Sequence, residues 1–445
     1  MRKRSPSKAL SENFRMDKVL IITYYWPPSG GAGVQRWLKF SKYLPDFGLE
    51  PVILTVDPQY ASYPQKDRGL LEEISPSLEI IKTKSSTGIF SAYKILTGRS
   101  EIPYGGFANE DDPGFLRKFS RFIRGNFVLP DARKGWNRYA FRAAQQIISD
   151  EKIEKVITTS PPHSTQLTGL KLKKELNIKW IADLRDPWTE IYYSSRMYQT
   201  IPARKINRVM EVNVLNSADR VITTCNATRD LFRSKLDSDQ SPGKIITVTN
   251  GFDPADFKYG EIRPVDFTIT YLGTFAGNYN ANVLAEALDY CEARNIGEIK
   301  LNFIGKTDST VERLFKDHRN VILNIVPYVE HTRAMEYLAR SAALLLVVPS
   351  ESKHDEMIPG KLFEYLASKR KIIGLGPKES DVADILEKTK GGKMFTKNDS
   401  GELGEYLISL KADLNNGIYE SAPEGLEEYT RKTLAGKIAG ILNSV

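Results

Sequence analysis

Cysteine is scarce in this sequence, which has 445 residues but only two cysteines, Cys225 and Cys291. Two cysteines exclude a disulfide framework and a cysteine-rich metal site, and they favour a reducing compartment, the cytoplasm. The four histidines show no HExxH motif or other ligand spacing. The acidic run "DSD" at 237–239 lies away from any predicted strand end, so we expect no metal site.

Long hydrophobic stretches are also missing, since no apolar run reaches the roughly 18 to 20 residues that a membrane span needs. Residues 1–15 are basic but lack the apolar core of a secretion signal, and we expect them to form a disordered tail. Lysine and arginine exceed aspartate and glutamate by 63 to 55, which gives a net charge of +8. Such a balance suits polyanionic partners, among them nucleic acid, an anionic membrane face and phosphorylated substrates.

Short apolar strands alternate with helical segments twice along the chain. The first series begins at 18–25 and ends at 244–251, and the second begins at 267–273 and ends at 370–376. Strands separated by helices predict parallel sheets. We therefore expect an α/β fold with two doubly wound domains, at 16–252 and 267–425, that face each other across a cleft. A linker at 253–266 would join them, and an amphipathic helix at 426–445 would end the chain.

Loops that follow strands of the first series carry the first candidate residues, because open α/β sheets bind ligands beyond the carboxyl ends of their strands. Gly30, Gly31 and Gly33 follow the first strand and open a helix, where the backbone can approach a ligand. Their spacing is not the GxGxxG of a dinucleotide site, and a plain glycine turn is the alternative. His163 follows another strand, and both sugar contact and a structural role stay open.

Three charges, Asp183, Arg185 and Asp186, end the strand predicted at 179–186. Charges at a buried strand end are costly unless they are paired or used. One interpretation is an Arg–Asp structural pair. The other is an acceptor-side site with general acid–base help.

The stretch "HDEMIPGKLFEYLASKRKIIG", residues 354–374, has the most specific pattern. A Pro-Gly break opens a helix that carries Glu364, whose carboxylate can accept two hydroxyls, as a ribose diol needs. Gly360 and Lys361 offer backbone N–H groups and a cation to a diphosphate. Glu356 would reach the sugar end of the same ligand. A solvated helix start is the alternative.

Residues 113–142 form a basic segment in which eight cations face one acid, Asp131. Phe115, Leu116, Phe119, Phe122 and Ile123 recur at helical spacing within it. This pattern is typical of a helix that lies on an anionic membrane surface. An ordinary helix that packs its phenylalanines on the domain is the alternative.

Together these motifs resemble the retaining glycosyltransferases of the GT-B fold, in the large group called family 4. The resemblance covers roughly residue 16 to the C-terminus, and it rests on the loop at 30–33, "TSPPHS", "DLRDPW", "NGFD", "YLGTF" and Glu356-x7-Glu364. Similar motif sets look like bacterial enzymes of surface-polysaccharide assembly, including that of lipopolysaccharide.

The resemblance implies a nucleotide-sugar donor, a saccharide acceptor that is lipid-linked, and neither cofactor nor metal. The first domain would bind the acceptor, the second would bind the donor, and the last helix would pack back on the first domain. His163, Glu356 and Asp186 would be catalytic, and Asp183 and Arg185 would bind the acceptor. The donor would contact Gly30, Gly31, Gly33, Gly273, Thr274, Val326, Tyr328, Gly360, Lys361, Leu362 and Glu364.

One departure from the family pattern concerns the diphosphate, because the loop at 271–282 carries neither the arginine nor the lysine that many members have there. In this protein the contact with the diphosphate would instead be made by Lys361, Gly360 and Arg185. Alternatives to a transferase are a GT-B-fold sugar-nucleotide epimerase, a basic nucleic-acid-binding protein and an inactive scaffold. No RRM, KH or helix-turn-helix motif is present, so we expect no nucleic-acid partner but peripheral contact with the inner face of the plasma membrane.

Overall fold

The computed structural model describes residues 16–63, 66–86, 115–191, 194–257, 262–277, 279–348 and 357–445. Over these residues the chain forms two parallel sheets, of seven and six strands, and thirteen α-helices. The prediction of an α/β fold with two doubly wound sheets is confirmed. Among the described helices, none combines the length and the apolar character that crossing a bilayer requires.

The first sheet is parallel throughout and has the order β3-β2-β1-β4-β5-β6-β7. Its strands are β1 (Asp17–Ile22), β2 (Leu49–Val56), β3 (Glu79–Thr83), β4 (Lys155–Ser160), β5 (Lys179–Leu184), β6 (Arg220–Thr223) and β7 (Ile245–Thr247). The helices between them are α1 (Ala32–Tyr43), α2 (Phe115–Phe127), α3 (Asn137–Glu151), α4 (Ser164–Leu176), α5 (Ile201–Ser217) and α6 (Asn226–Arg233). The strand order reverses between β1 and β4, which pair from Val19 and Lys155 onward.

The second sheet repeats this design in the order β10-β9-β8-β11-β12-β13. Its strands are β8 (Thr268–Leu272), β9 (Ile299–Ile304), β10 (Val321–Val326), β11 (Ala343–Val347), β12 (Lys371–Leu375) and β13 (Gly392–Phe395). Its helices are α7 (Asn282–Ala293), α8 (Ser309–Phe315), α9 (His331–Arg340), α10 (Lys361–Ala367), α11 (Asp381–Thr389) and α12 (Ser400–Asn415). Central strands such as β11 are wholly buried, which explains their continuous apolar runs, because helices cover both faces.

The chain crosses between the two sheets twice, and the two crossings pair with each other. The N–H of Phe252 donates to the carbonyl of Tyr429 at 3.1 Å, and the N–H of Arg431 donates to the carbonyl of Phe252 at 2.8 Å. The last helix, α13 (Arg431–Asn443), then packs Leu434, Ile438 and Leu442 into the core of the first sheet. The second crossing therefore returns the chain to the domain where it began.

A fully buried ion pair joins α1 to the first sheet. Arg36 and Asp183 are both wholly inaccessible, with 3.1 Å between Nη2 and Oδ1. The carboxylate also accepts hydrogen bonds from Trp37 Nε1 at 2.7 Å and Thr159 Oγ1 at 2.8 Å, and Arg36 donates to the carbonyls of residues 248 and 249. Asp183, predicted to bind the acceptor, is instead a structural partner, because its oxygens are occupied and closed to solvent.

Replacing one member of this pair should destabilise the first domain. Asp183→Asn leaves the Arg36 guanidinium buried without its counter-charge, so we expect a loss of about 3 to 5 kcal/mol in the free energy of unfolding. Urea unfolding followed by tryptophan fluorescence measures this, because all five tryptophans lie in the first domain: Trp26, Trp37, Trp136, Trp180 and Trp188.

Lys432→Met is the matched control, since Lys432 pairs with Asp46 at 2.7 Å where both side chains are largely exposed. Loss of an exposed pair should cost below about 1 kcal/mol. Equal effects of the two substitutions would contradict a structural role for the buried pair.

Candidate functional site

The glycine turn after β1 leads into the N-terminus of α1. Gly31 caps that helix at φ 102°, a conformation that favours glycine. A Cβ at Gly33 would stand 1.8 Å from Nη1 of Arg185, so a larger residue there would displace the Arg185 side chain. The Arg185 guanidinium therefore lies directly against the first turn of α1, and its Nε donates to the carbonyl of Ser160 at 2.8 Å.

His163 lies at the start of α4, and its side chain is only 8% exposed. Its ring stacks on Trp188, with centroids 5.1 Å apart and planes 11° apart. Neither ring nitrogen has a hydrogen-bond partner within the described residues. Burial lowers the pKa of His163 to about 4, with Asp131 opposing and Arg185 adding to the shift. The imidazole is therefore neutral near pH 7.

The loop at 128–136, inside the basic segment 113–142, supports the start of α4. Asp131 accepts hydrogen bonds from the N–H of Ser164 at 2.7 Å and from its Oγ at 2.9 Å. Because Ser164 follows His163 directly, this carboxylate fixes the position of the histidine loop. Elsewhere in the segment, Phe119, Phe122 and Phe127 of α2 are exposed, so the phenylalanine stripe does not simply pack on the domain.

Asp186 follows Arg185 at the end of β5 and is half-buried. Burial raises the pKa of this carboxyl, while Arg185 lowers it and Asp183 adds to the increase. Trp188 and Glu211 in the same region escaped the sequence analysis. Glu211 is fully buried and accepts hydrogen bonds from the N–H of Trp188 at 3.3 Å and from the hydroxyl of Thr189 at 2.7 Å.

The tryptophan was signalled by its place in "DLRDPW", whereas no local pattern marks a glutamate in the middle of α5. Glu211 holds the Trp188 loop in position, and Trp188 in turn covers one face of the His163 ring. The histidine is thus oriented by residues from three separate parts of the chain.

In the second domain two glycines let neighbouring strand ends approach closely. Gly273 follows β8 at φ 113°, and Gly305 follows β9 at φ 122°. A Cβ at Gly305 would stand 2.5 Å from the carbonyl oxygen of Gly273, so a larger residue is excluded. The two strand-end loops therefore pack backbone against backbone at this point.

Lys361, at the start of α10, reaches the same strand end. Its Nζ donates to the Tyr271 hydroxyl at 2.8 Å and would lie 3.3 Å from a Cβ at Gly273. Burial lowers the pKa of Lys361 to about 7, with Glu364 opposing the shift. Across the described residues this amine has no ion-pair partner, so its charge is available to an anion. The Tyr365 hydroxyl accepts the N–H of Leu272 at 2.9 Å and locks α10 to β8.

Glu364 lies where α9, α10 and the returning crossing converge. Burial raises the pKa of its carboxyl, whereas His331 and Arg431 lower it. His331 Nε2 stands 3.8 Å from Oδ2 of Asp256 on the outgoing crossing. The sequence analysis missed His331 and Arg431, because only the fold brings these distant segments together.

The remaining predicted donor residues occupy different environments at this edge. Gly360 caps α10 and is half-buried, whereas the Leu362 side chain lies fully inside an apolar cluster and its N–H donates to the carbonyl of Pro359. The Val326 carbonyl accepts the N–H of Gly305 at 2.9 Å, and Tyr328 is exposed.

Two further predicted positions complete the comparison with the sequence. Thr274 is exposed, and its carbonyl accepts the Tyr271 hydroxyl at 2.7 Å. Gly30 is half-buried in the glycine turn. Glu356 lies outside the described residues, as do residues 1–15 and 113–114. The structure thus brings Gly30–Gly33, His163, Arg185 and Asp186 to one strand-end surface, and Gly273, Lys361 and Glu364 to the other.

Comparisons with known proteins give matches among solved structures. No protein-family model and no curated protein sequence matches this chain. HepE of Anabaena, solved with UDP-glucose, is 12% identical with a TM-score of 0.58 and covers 96% of this chain and 100% of its own. The lipopolysaccharide outer core galactosyltransferase WaaB is 13% identical with a TM-score of 0.55 and covers 96% of this chain and 99% of its own.

A third similar structure is a putative UDP-N-acetylglucosamine 2-epimerase of Listeria monocytogenes. It is 11% identical, has a TM-score of 0.52, and covers 96% of each chain. At such identities these likenesses show the fold alone. The predicted GT-B fold, two doubly wound domains, is therefore confirmed over almost the whole chain.

The buried histidine should make stability depend on pH. Because the pKa of His163 is about 4 in the folded protein against 6.5 ordinarily, the unfolded chain takes up the proton first as pH falls. This histidine therefore removes stability between about pH 6.5 and pH 4, and removes none above that window. In urea unfolding, the stability lost between pH 7 and pH 4.5 should be smaller in His163→Gln than in wild type by about 2 to 3 kcal/mol.

An NMR titration of the His163 ring checks the same point directly. A ring that titrates near its ordinary pKa, or a variant that keeps the full pH dependence of wild type, would contradict the neutral buried state.

Proposed function

We propose that this protein transfers a sugar from a nucleotide-sugar to a saccharide acceptor, with retention of anomeric configuration, as family 4 glycosyltransferases do. The observation that carries the proposal is the arrangement at the end of β8. There a half-buried amine, Lys361, lies beside the close approach of Gly273 and Gly305, and a half-buried carboxylate, Glu364, follows on the next turn of α10.

The amine fits the diphosphate of such a donor. Lys361 carries a cation to a place that the Gly273 backbone and the Tyr271 ring border. A cation in surroundings with little water interacts strongly with an anion, because screening is weak there. The leaving diphosphate develops charge during transfer, so Lys361 would stabilise the transition state.

The carboxylate fits the ribose of the same donor. Glu364 has two acceptor oxygens, and within the described chain neither takes a protein hydrogen bond, so both remain for the two hydroxyls of a ribose. Burial raises the pKa of this carboxyl, and the positive charges of His331 and Arg431 oppose that shift and favour the ionised form. Val326 and Tyr328 would border the base, and Gly360, Leu362 and Thr274 would contribute backbone only.

The first domain supplies the sugar and acceptor side of this proposal. His163 is neutral, so one ring nitrogen can donate to a sugar hydroxyl and the other can accept from one. Arg185 lies against the glycine turn, where it would add positive charge near the leaving phosphate or an acceptor phosphate. Asp186 would contact the acceptor hydroxyl, and Glu356 the transferred sugar.

The chemistry needs neither cofactor nor metal in this proposal, because Lys361 and Arg185 supply the positive charge. The anomeric carbon would become oxocarbenium-like as the nucleotide leaves, and the acceptor would attack on the same face. The departing phosphate would take the acceptor proton. Closure of the two domains would exclude water and limit hydrolysis of the donor.

Two structural neighbours support the choice of substrates. HepE was solved with UDP-glucose, and WaaB is named as a galactosyltransferase of the lipopolysaccharide outer core. We therefore propose a UDP-sugar as the donor and a lipid-linked saccharide of surface-polysaccharide assembly as the acceptor. The basic segment 113–142 would bring this cytoplasmic enzyme to the membrane that carries such an acceptor.

A sugar-nucleotide epimerase is the second candidate, because a putative enzyme of that kind shares the fold. The two are separated by incubating the protein with UDP-sugars, first alone and then with lipid-linked saccharides, and analysing products by NMR. A transferase gives a new α-glycoside only when acceptor is present. Epimerisation of UDP-N-acetylglucosamine without acceptor would replace the transferase by the epimerase.

Removing the proposed ribose contact should weaken nucleotide binding. Glu364→Ala loses charge-assisted hydrogen bonds, so we expect a loss of about 1 to 3 kcal/mol in binding free energy. Thermal shifts and calorimetry with UDP, GDP, ADP and CMP measure this, with UDP the expected ligand.

Glu387→Ala is the matched control, because Glu387 is an exposed glutamate on α11 of the same domain. It should bind nucleotide as wild type does. A folded Glu364→Ala protein with unchanged affinity would rule out the ribose contact, and wild type without response to any of the four nucleotides would argue against the donor site itself.

Nucleotide affinity should also depend on the protonation of Lys361. The pKa of this amine is about 7 in the free protein, and a diphosphate beside it would raise that pKa. Below pH 7 the amine is already charged, whereas above it binding requires proton uptake, so affinity should fall by up to about ten-fold per pH unit. Calorimetry with UDP between pH 7 and 9, in buffers of different ionisation enthalpy, measures that uptake.

Lys361→Arg is the control, because a guanidinium stays charged throughout this range. Its affinity should be nearly flat with pH. A wild-type profile as flat as that of the arginine variant would show that Lys361 does not contact the diphosphate.

A further inference from the structure

The first half of α5 presents apolar side chains to solvent. Ile201 is 74% exposed, and Ile206 and Val209 are also exposed. Ile201, Lys205 and Val209 are spaced by four residues and therefore lie on one face of the helix. Leaving this much aliphatic surface in water is unfavourable, so the face indicates a binding surface.

Helix α2 extends this surface. Its C-terminal turn is tied to the segment before α5, since Asn126 Oδ1 accepts the N–H and the hydroxyl of Thr200, both at 2.7 Å. Phe127 follows Asn126 in sequence and is 69% exposed, and Ile201 follows Thr200. We name the exposed side chains of both helices the α2–α5 face: Phe119, Phe122, Phe127, Ile201, Ile206 and Val209.

The charges on this face have a single sign. Arg204, Lys205 and Arg208 are exposed and form no ion pair with any described residue. Neither α2 nor the stretch 194–210 contains an acidic residue. Apolar side chains interleaved with the exposed cations of α5 match a lipid surface with anionic headgroups, where the apolar side chains insert and the cations meet the phosphates.

We propose that the α2–α5 face docks the protein on an anionic membrane, with the first half of α5 as its second contact element beside helix α2. The inference rests on the proposed function for its purpose, the delivery of a lipid-linked acceptor, but its test does not require catalysis. A second copy of the chain fits the face less well, because pairing would bring like charges together.

The position of the face suits this purpose. Helix α5 follows the loop at the end of β5 that carries Arg185, Asp186 and Trp188, so its exposed first turns begin on the strand-end side of the first sheet. A membrane docked there lies next to the proposed acceptor side of the site. A lipid-linked saccharide could then reach His163 while its lipid stays in the bilayer.

Vesicle co-sedimentation of the full chain tests the proposal. Wild type should bind vesicles of phosphatidylcholine mixed with phosphatidylglycerol, and pure phosphatidylcholine much less. The double substitution Ile201→Ser, Val209→Ser should lower the partition coefficient at least about ten-fold, through lost apolar insertion. The triple substitution of Arg204, Lys205 and Arg208 by glutamine should lower it on the order of 100-fold.

Ile418→Ser is the matched control, because Ile418 is 58% exposed but lies in the second domain. It should bind vesicles as wild type does, and all variants should keep the thermal response to nucleotide, which separates this inference from the proposed function. Absent binding to anionic vesicles, or binding that the α5 variants leave unchanged, would overturn the proposal. Two other results would also overturn the proposal. One is a wild-type dimer in light scattering that the α5 variants abolish, and the other is an oligonucleotide complex that the α5 variants abolish.

Discussion

The buried pair of Arg36 and Asp183 is the contact on which the rest of the structure depends. Two charges without access to water are tolerated only when they satisfy each other and their remaining hydrogen bonds, as they do here. Arg36 also donates to the carbonyls of residues 248 and 249, just before the chain leaves the first domain. One side chain therefore fixes α1, the end of β5 and the start of the crossing relative to each other. The glycine turn that opens α1 is held in place by the same contact.

Helix α1 also fixes the position of the segment that leads to the second domain. Lys42 and Tyr43 bond to Asp253 on the outgoing crossing; burial alone would raise the pKa of that carboxyl, but these bonds lower it to about 2. Asp256 lies three residues after Asp253 and faces His331. Burial alone would lower the pKa of His331, but Asp256 and Glu364 raise the pKa of this histidine above its ordinary value. Fixed charges thus lead from α1 to the proposed ribose carboxylate.

The sequence predicts local features well and distant partners poorly. The periodicity of apolar residues and the alternation of strand-like and helix-like segments predicted both sheets. Strand length, helix amphipathicity and turn residues are all encoded within short stretches of sequence. The strand-end loops follow from that topology, and this is why His163 and Lys361 could be named. Asp183 shows the limit of prediction from sequence. Its place at a charged strand end predicted either an ion pair or an acceptor-binding site, and its actual partner, Arg36, comes from a distant part of the chain. Glu211 is a second example of this limit, because no residue near it in sequence indicates that its carboxylate orients Trp188.

The net charge of +8 is compatible with several polyanionic partners, and the places of the individual cations bear on the choice among these partners. Arg185 is buried and Lys361 is half-buried, each beside glycine backbone, and in the proposed function both would face a compact diphosphate. Arg204 and Arg208 are exposed among the aliphatic side chains of α5, whereas the aromatic side chains of the α2–α5 face, Phe119, Phe122 and Phe127, belong to α2. The bulk charge alone suggested any polyanion. The positions of these cations, two beside glycine backbone and two on an exposed helix, support the proposed donor site and the proposed membrane contact.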